Sequence, residues 1–130
     1  MRLGLFVMLL IGCLSYGQDL ERYRWKNRLV LIIQDLSSEQ AANNQLTLFK
    51  KEESALQERA ILVLHATPKQ ATQWKSRFGL EETFNGVLLI GKDGRLKFSD
   101  SFPIKPETIF TLIDGMPMRK AEIRQQKKGL

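Results

Sequence analysis

Two strand–helix units, a tight hairpin and a covering helix define the α/β class that this chain predicts, and three features of the sequence point to it. Short aliphatic runs at 28–34 (RLVLIIQ), 61–64 (ILVL) and 86–91 (GVLLIG) read as strands buried on both faces. Between them, apolar residues recur at helical spacing: Ala42, Leu46, Phe49, Leu56 and Ala60 on one stripe, Ala71, Trp74 and Phe78 on another. Lys92-Asp93-Gly94 is a hairpin turn of Asp-Gly type leading into Leu96-Lys97-Phe98, which alternates as a half-exposed antiparallel strand does. The resulting order, β-α-β-α-β-β-α with an extra basic C-terminal helix, is the chain order of the thioredoxin-like fold. A length of 130 residues, 43% hydrophobic and 26% charged, suits one globular domain.

Each element has a local reason. Residues 18–27 (QDLERYRWKN) form a polar lead-in whose Tyr23 and Trp25 are expected to pack beneath the first strand. After that strand, Ser37 or Ser38 is placed to cap a helix by accepting hydrogen bonds from its first free N–H groups. Thr67 is the expected cap of the next helix, with Pro68 in its first turn, where a missing N–H costs nothing, and Gly79 ends it. Pro106 opens a further helix with Ile109, Phe110, Leu112 and Ile113 turned inward. Asp114-Gly115 closes that helix, and Pro117 begins the last one, Met118 to about Gln126.

The N-terminus reads as a leader rather than as part of the domain. Arg2 precedes an apolar stretch from Leu3 to Leu14, and Ser15-Tyr16-Gly17 offers small residues at the positions a signal peptidase inspects. A transmembrane helix needs roughly 20 apolar residues, which this stretch lacks. The expectation is cleavage after Gly17, giving an exported domain from 18 to 130, periplasmic or secreted. A competing reading takes Leu10-Ile11-Gly12-Cys13 as a lipobox, with Cys13 acylated as a membrane anchor. Either way the chain has a single cysteine and it lies in the leader, so residues 18–130 carry neither a disulfide nor a redox thiol.

The formal charge of +6 is unevenly spread. Arg119, Lys120, Arg124, Lys127 and Lys128 face only Glu122 as an acid between 119 and 130, so the basic character belongs to the tail. That tail is expected to be a solvated, partly frayed helix; its functional alternative is contact with an anionic surface. Nucleic acid is not an expected partner, because the domain has no basic, aromatic-interleaved face. One histidine and no cysteine leave too few soft ligands for a metal site, and no Gly-rich loop has phosphate-binding spacing, so no metal and no cofactor is expected.

Three stretches carry a resemblance: RWKNRLVLI at 24–32, GVLLIGKDG at 86–94 and IDGMPMRKAEI at 113–123. Together they resemble a bacterial family of exported proteins known only as a domain of unknown function. That family is related to the P-DUDES domains of vertebrate extracellular sushi-repeat proteins, themselves likened to peroxiredoxins and thioredoxins. The resemblance implies a fold and a compartment, but no reaction. Its motifs look architectural, with Trp25 anchoring the lead-in, the 92–94 turn setting the hairpin and the Met116-Pro117-Met118 corner joining two helices.

In a thioredoxin the first strand runs into a reactive CxxC at a helix N-terminus, where the dipole lowers a thiol's pKa. Here the corresponding residues are Asp35-Leu36-Ser37-Ser38-Glu39, and the place before the third strand, where active members keep a cis-proline, reads Phe84-Asn85-Gly86. A serine needs a neighbouring base to become a nucleophile. His65, the sole histidine, ends the adjacent strand, so the enzyme alternative is a hydrolase in which Ser38 contacts His65 with Asp35 as orienter. The leading expectation is a non-catalytic binding or interaction module of the cell envelope. Its candidate binding residues are Asp35, Ser37, Ser38, His65 and Asn85, and its partner would be an envelope protein or a glycan.

Overall fold

A computed structural model describes residues 20–129; the expected leader and Cys13 lie outside them. The strands are β1 (Arg28–Ile33), β2 (Ile61–His65), β3 (Gly86–Ile90) and β4 (Leu96–Ser101). The helices are α1 (Glu39–Lys50), α2 (Glu53–Glu58), α3 (Pro68–Arg77), α4 (Pro106–Asp114) and α5 (Pro117–Lys128), with short 3-10 turns at Glu21–Tyr23 and Leu36–Ser38. The sheet order is β2-β1-β3-β4. β1 runs parallel to β2, and β3 is antiparallel to both β1 and β4. This is the thioredoxin-like arrangement that the element order predicts.

Alternation along β1 sorts the core into two layers. Val30 and Ile32 face Ala42, Phe49 and Leu56 of the α1–α2 segment and Ile109, Phe110 and Ile113 of α4. Leu29, Leu31 and Ile33 face Ala71 and Trp74 of α3, together with Leu20 of the lead-in. Every residue of β1 and β3 is buried, as unbroken aliphatic runs in central strands should be. Thr67 caps α3 in a full capping box with Gln70.

Several expectations need correction. Trp25 is 60% exposed, with a left-handed backbone at φ 66°. Its N–H donates to the Lys92 carbonyl at 2.6 Å, which turns the residue outward, and Leu20 and Tyr23 take the packing role instead. The helix after β1 is broken near Lys51–Glu52 rather than continuous to Ala60. No apolar residue holds the helix to the sheet between Phe49 and Ala55, and the Glu52 N–H bonds the Phe49 carbonyl three residues back. β2 is an edge strand, so Leu62 and His65 are exposed where a strand buried on both faces was expected. Leu112 is also exposed, one position off the inward face of α4.

The basic tail changes most. Arg119 is only 2% exposed; its Nη1 and Nη2 donate to the carbonyl and carboxylate of Glu58, both at 3.1 Å. Arg28, 1% exposed, donates from Nη1 and Nη2 to the two Glu122 oxygens at 3.1 Å each, and from Nη1 to the Arg59 carbonyl at 2.9 Å. Lys92 Nζ reaches Glu122 Oε1 at 2.6 Å, and Arg59 holds Asp114 through two bonds of 3.0 and 2.9 Å. The start of the tail is therefore docked through Arg119 and Glu122, while Lys120, Arg124, Lys127 and Lys128 are exposed as expected. Its seat is a network of ion pairs to which all three motif stretches contribute, through Arg28, Lys92 and the Asp114–Arg119–Glu122 group.

Acid should release it. Bonds from Arg59, opposed by burial, hold the Asp114 carboxyl below its usual range. At Glu122 burial acts upward, yet the bonds from Arg28 and Lys92 outweigh it and the net shift is also downward. Carboxylates with depressed folded pKa values stabilise above their unfolded pKa, and that contribution is lost as pH falls through the folded values. Amide exchange should therefore show protection in α5 at pH 6 and its selective loss below about pH 4. Undiminished protection of 117–128 at pH 3, with the sheet still intact, would contradict this.

Candidate functional site

The pole opposite the ion-pair network is built where β1 ends and β3 begins. Antiparallel pairing sets Ile33 against Gly86, so Asp35 and Asn85 emerge side by side. The Asp35 N–H donates to Asn85 Oδ1 at 2.5 Å, and Asn85 Nδ2 donates to Asp35 Oδ2 at 2.9 Å. Ser37 Oγ and the Ser38 N–H both donate to Asp35 Oδ1, at 2.7 and 3.1 Å. The cap of this turn is thus Asp35 rather than either serine, and the Ser38 side chain makes no cap bond to α1. Gly86 allows the approach from the other side. A Cβ there would lie 2.0 Å from the Asp100 carbonyl oxygen of β4, so only glycine lets the two strands pair this closely.

Four of the five sequence-predicted residues, Asp35, Ser37, Ser38 and Asn85, are therefore brought together. His65 is not part of that group. Its Nε2 lies 2.6 Å from Gln34 Oε1, and among the described residues no hydrogen bond joins it to Ser38. The Ser38–His65 contact expected for a hydrolase is replaced by the Gln34 pair, because register sets His65 beside Ile32, two residues before Gln34. Hydrogen bonds from Ser37 and Asn85, with a lesser one from Ser38, outweigh the opposing effect of desolvation and lower the Asp35 pKa to about 2. A carboxylate so weakly basic is a poor proton acceptor near neutral pH. Among the described residues no cluster of three or more His, Cys, Asp and Glu side chains could hold a metal ion.

Beside this lock lies an open groove of ≈ 640 Å³, with Ala41, Leu80, Phe84 and Phe102 as its apolar lining and Ser38, Glu81, Thr83, Asn85 and Ser101 as its polar lining. Two residues after Phe102, the chain is fixed at Ile104 by Gln45. That fully buried amide donates to the Ile104 carbonyl at 2.7 Å and accepts the Ile104 N–H at 2.6 Å. A cis peptide joins Phe102 to Pro103 beyond β4, while Asn85 stands before β3. Leu36, at the tip of the Asp35 turn, is 92% exposed. Sequence reasoning overlooked the groove and Leu36; the available signal was an apolar residue set between Asp35 and two serines in a loop with no core to enter.

Fold and site together define a thioredoxin-like domain whose helix-start position carries a carboxylate–amide lock in place of a thiol. The chain belongs to the family described as Domain of unknown function (DUF4174), which matches residues 19–122. Among solved structures it is similar to a reduced 2-Cys peroxiredoxin of Plasmodium vivax at 13% identity and a TM-score of 0.53, over 84% of each chain. No curated protein matches it. At that identity the likeness bears on the fold alone.

The lock makes a titration prediction. The Asp35 carboxyl, followed by NMR, should titrate near 2 in the native chain, and in Asn85→Ala and Ser37→Ala it should move up toward the ordinary 3.8. Titration at an ordinary value in the native chain would mean that the lock does not form in solution.

Proposed function

We propose that this protein is an exported, non-catalytic binding or interaction module of the cell envelope. Its contact surface is the Asp35–Ser38 turn, Asn85 and the adjoining groove. The observation that carries this reading is the occupancy of the helix-start position. The one carboxylate there is held by two hydroxyl- or amide-type side chains and a backbone N–H, so it is committed to shaping a surface. The leader at 1–17, read from sequence, supports export. The three motif stretches support kinship with the P-DUDES domains and hence an extracytoplasmic setting. No described helix is long and apolar enough to cross a membrane. An envelope protein or a glycan is the partner class.

Capture from envelope extract by the mature chain tests this. Asp35→Ala should lose the captured species, while His65→Ala, which alters a side chain outside the lock, should retain it. Capture indifferent to both would sink the reading. A second test concerns chemistry. From Gln18 onward the chain's only sulfur is in methionine, whereas disulfide exchange and peroxide reduction by this fold proceed through a thiolate. Turnover of peroxide or disulfide should equal the buffer background, with or without added thiol. Thiol-dependent activity abolished by a change at Ser37 or Ser38 would overturn the non-catalytic assignment.

A further inference from the structure

We infer that the groove receives an extended peptide segment in which lysine or arginine flanks an apolar side chain. This rests on the binding-module reading and names its ligand class. Three segments surround the groove: the β1–α1 turn with the start of α1, the α3–β3 loop, and the end of β4. In a chain with 20 Lys and Arg, the stretches 34–49, 78–91 and 98–104 contain none. They contain instead Asp35, Glu39, Glu81, Glu82 and Asp100, all exposed. Among the described residues Lys75 reaches these stretches, its Nζ donating to the Glu82 carbonyl at 2.7 Å. The excess of carboxylate is therefore local, against the sign of the whole molecule. A cationic partner is attracted here and an anionic one repelled.

The shape supplies the rest of the specification. Ala41, Leu80, Phe84 and Phe102 offer an apolar floor, and Leu36, two residues before Ser38 of the lining, stands almost wholly in water, where a contact from a partner would remove apolar surface from solvent. β4 is an edge strand, so its outer backbone groups have no partner strand among the described residues. An extended segment can pair with such an edge while alternate side chains enter a neighbouring pocket. Alternation then puts an apolar residue on the floor and basic residues at the acidic rim.

The test uses short, end-blocked, fluorophore-labelled peptides with the full mature chain at low ionic strength. One peptide alternates lysine with leucine, a second replaces lysine by glutamate, and a third replaces leucine by serine. The lysine–leucine peptide should bind at least about tenfold more tightly than either control, with affinity falling as salt is added. Glu39→Gln with Glu81→Gln, and separately Leu36→Ser, should each weaken it about tenfold. These side chains are exposed and unchanged near-UV circular dichroism will show that the fold persists. Equal binding of the glutamate peptide, or indifference to the substitutions, would overturn the proposal. So would a salt-sensitive self-association that competes with the peptide, since a second copy of the chain would then be the occupant. If the lysine–leucine peptide fails while Asp35-dependent capture from extract persists, the cationic-peptide assignment falls and the binding-module reading stands.

Discussion

The rest of the structure depends on one buried guanidinium. Arg28 opens the central strand at 1% exposure, and a buried charge of this kind is tolerable only when its donors are met. They are met by the Arg59 carbonyl just before β2 and by Glu122 of the last helix, which Lys92 of the β3–β4 turn also holds. One side chain thus links β1 to the approach to its parallel neighbour, to the hairpin and to α5. Arg119 and Arg59, converging on Asp114, tie the same helix to α2 and α4. The three stretches by which the chain resembles its family meet at this pole, which is why they look architectural: their charged residues hold elements together.

Fixing the sheet at that end leaves the other end free to vary. There the backbone geometry of the thioredoxin-like fold is retained, with a strand running into a helix start beside the beginning of β3, but the chemistry is different. Asp35 draws Ser37, Ser38 and Asn85 onto one carboxylate, and the turn that results presents Leu36 outward. Gln45 holds the chain at Ile104, two residues beyond Phe102 of the groove lining. Polar groups here build a surface with defined shape, which is what the proposed binding role rests on.

The fold was legible because its signals are local. Aliphatic runs, the Thr67-Pro68 start and the Asp93-Gly94 turn act over a few residues and survive tertiary context. The candidate site was partly legible, since Asp35, Ser37, Ser38 and Asn85 follow directly from where β1 ends and β3 begins. The Ser38–His65 contact was not legible because strand register alone does not say which neighbour a side chain will bond, and His65 bonds Gln34. Trp25 misled because apolar residues are usually buried, whereas its N–H is drawn to Lys92 and the left-handed backbone carries the ring into water. The docked state of α5 was hidden because its charged residues read as solvated when their partners lie about sixty to ninety positions away, at Glu58 and Arg28.

A double-mutant cycle at Arg28 and Glu122, read by urea unfolding, tests the central claim most directly. Glu122→Gln alone should cost about 3 kcal/mol, because it strands the buried guanidinium. Adding Arg28→Met, which removes that charge while keeping most of the side-chain volume, should recover part of the loss, for a coupling energy of at least ~1 kcal/mol. Losses that add to within ~0.5 kcal/mol would show the two residues to be independent, and the network would not be what seats the central strand and the last helix together.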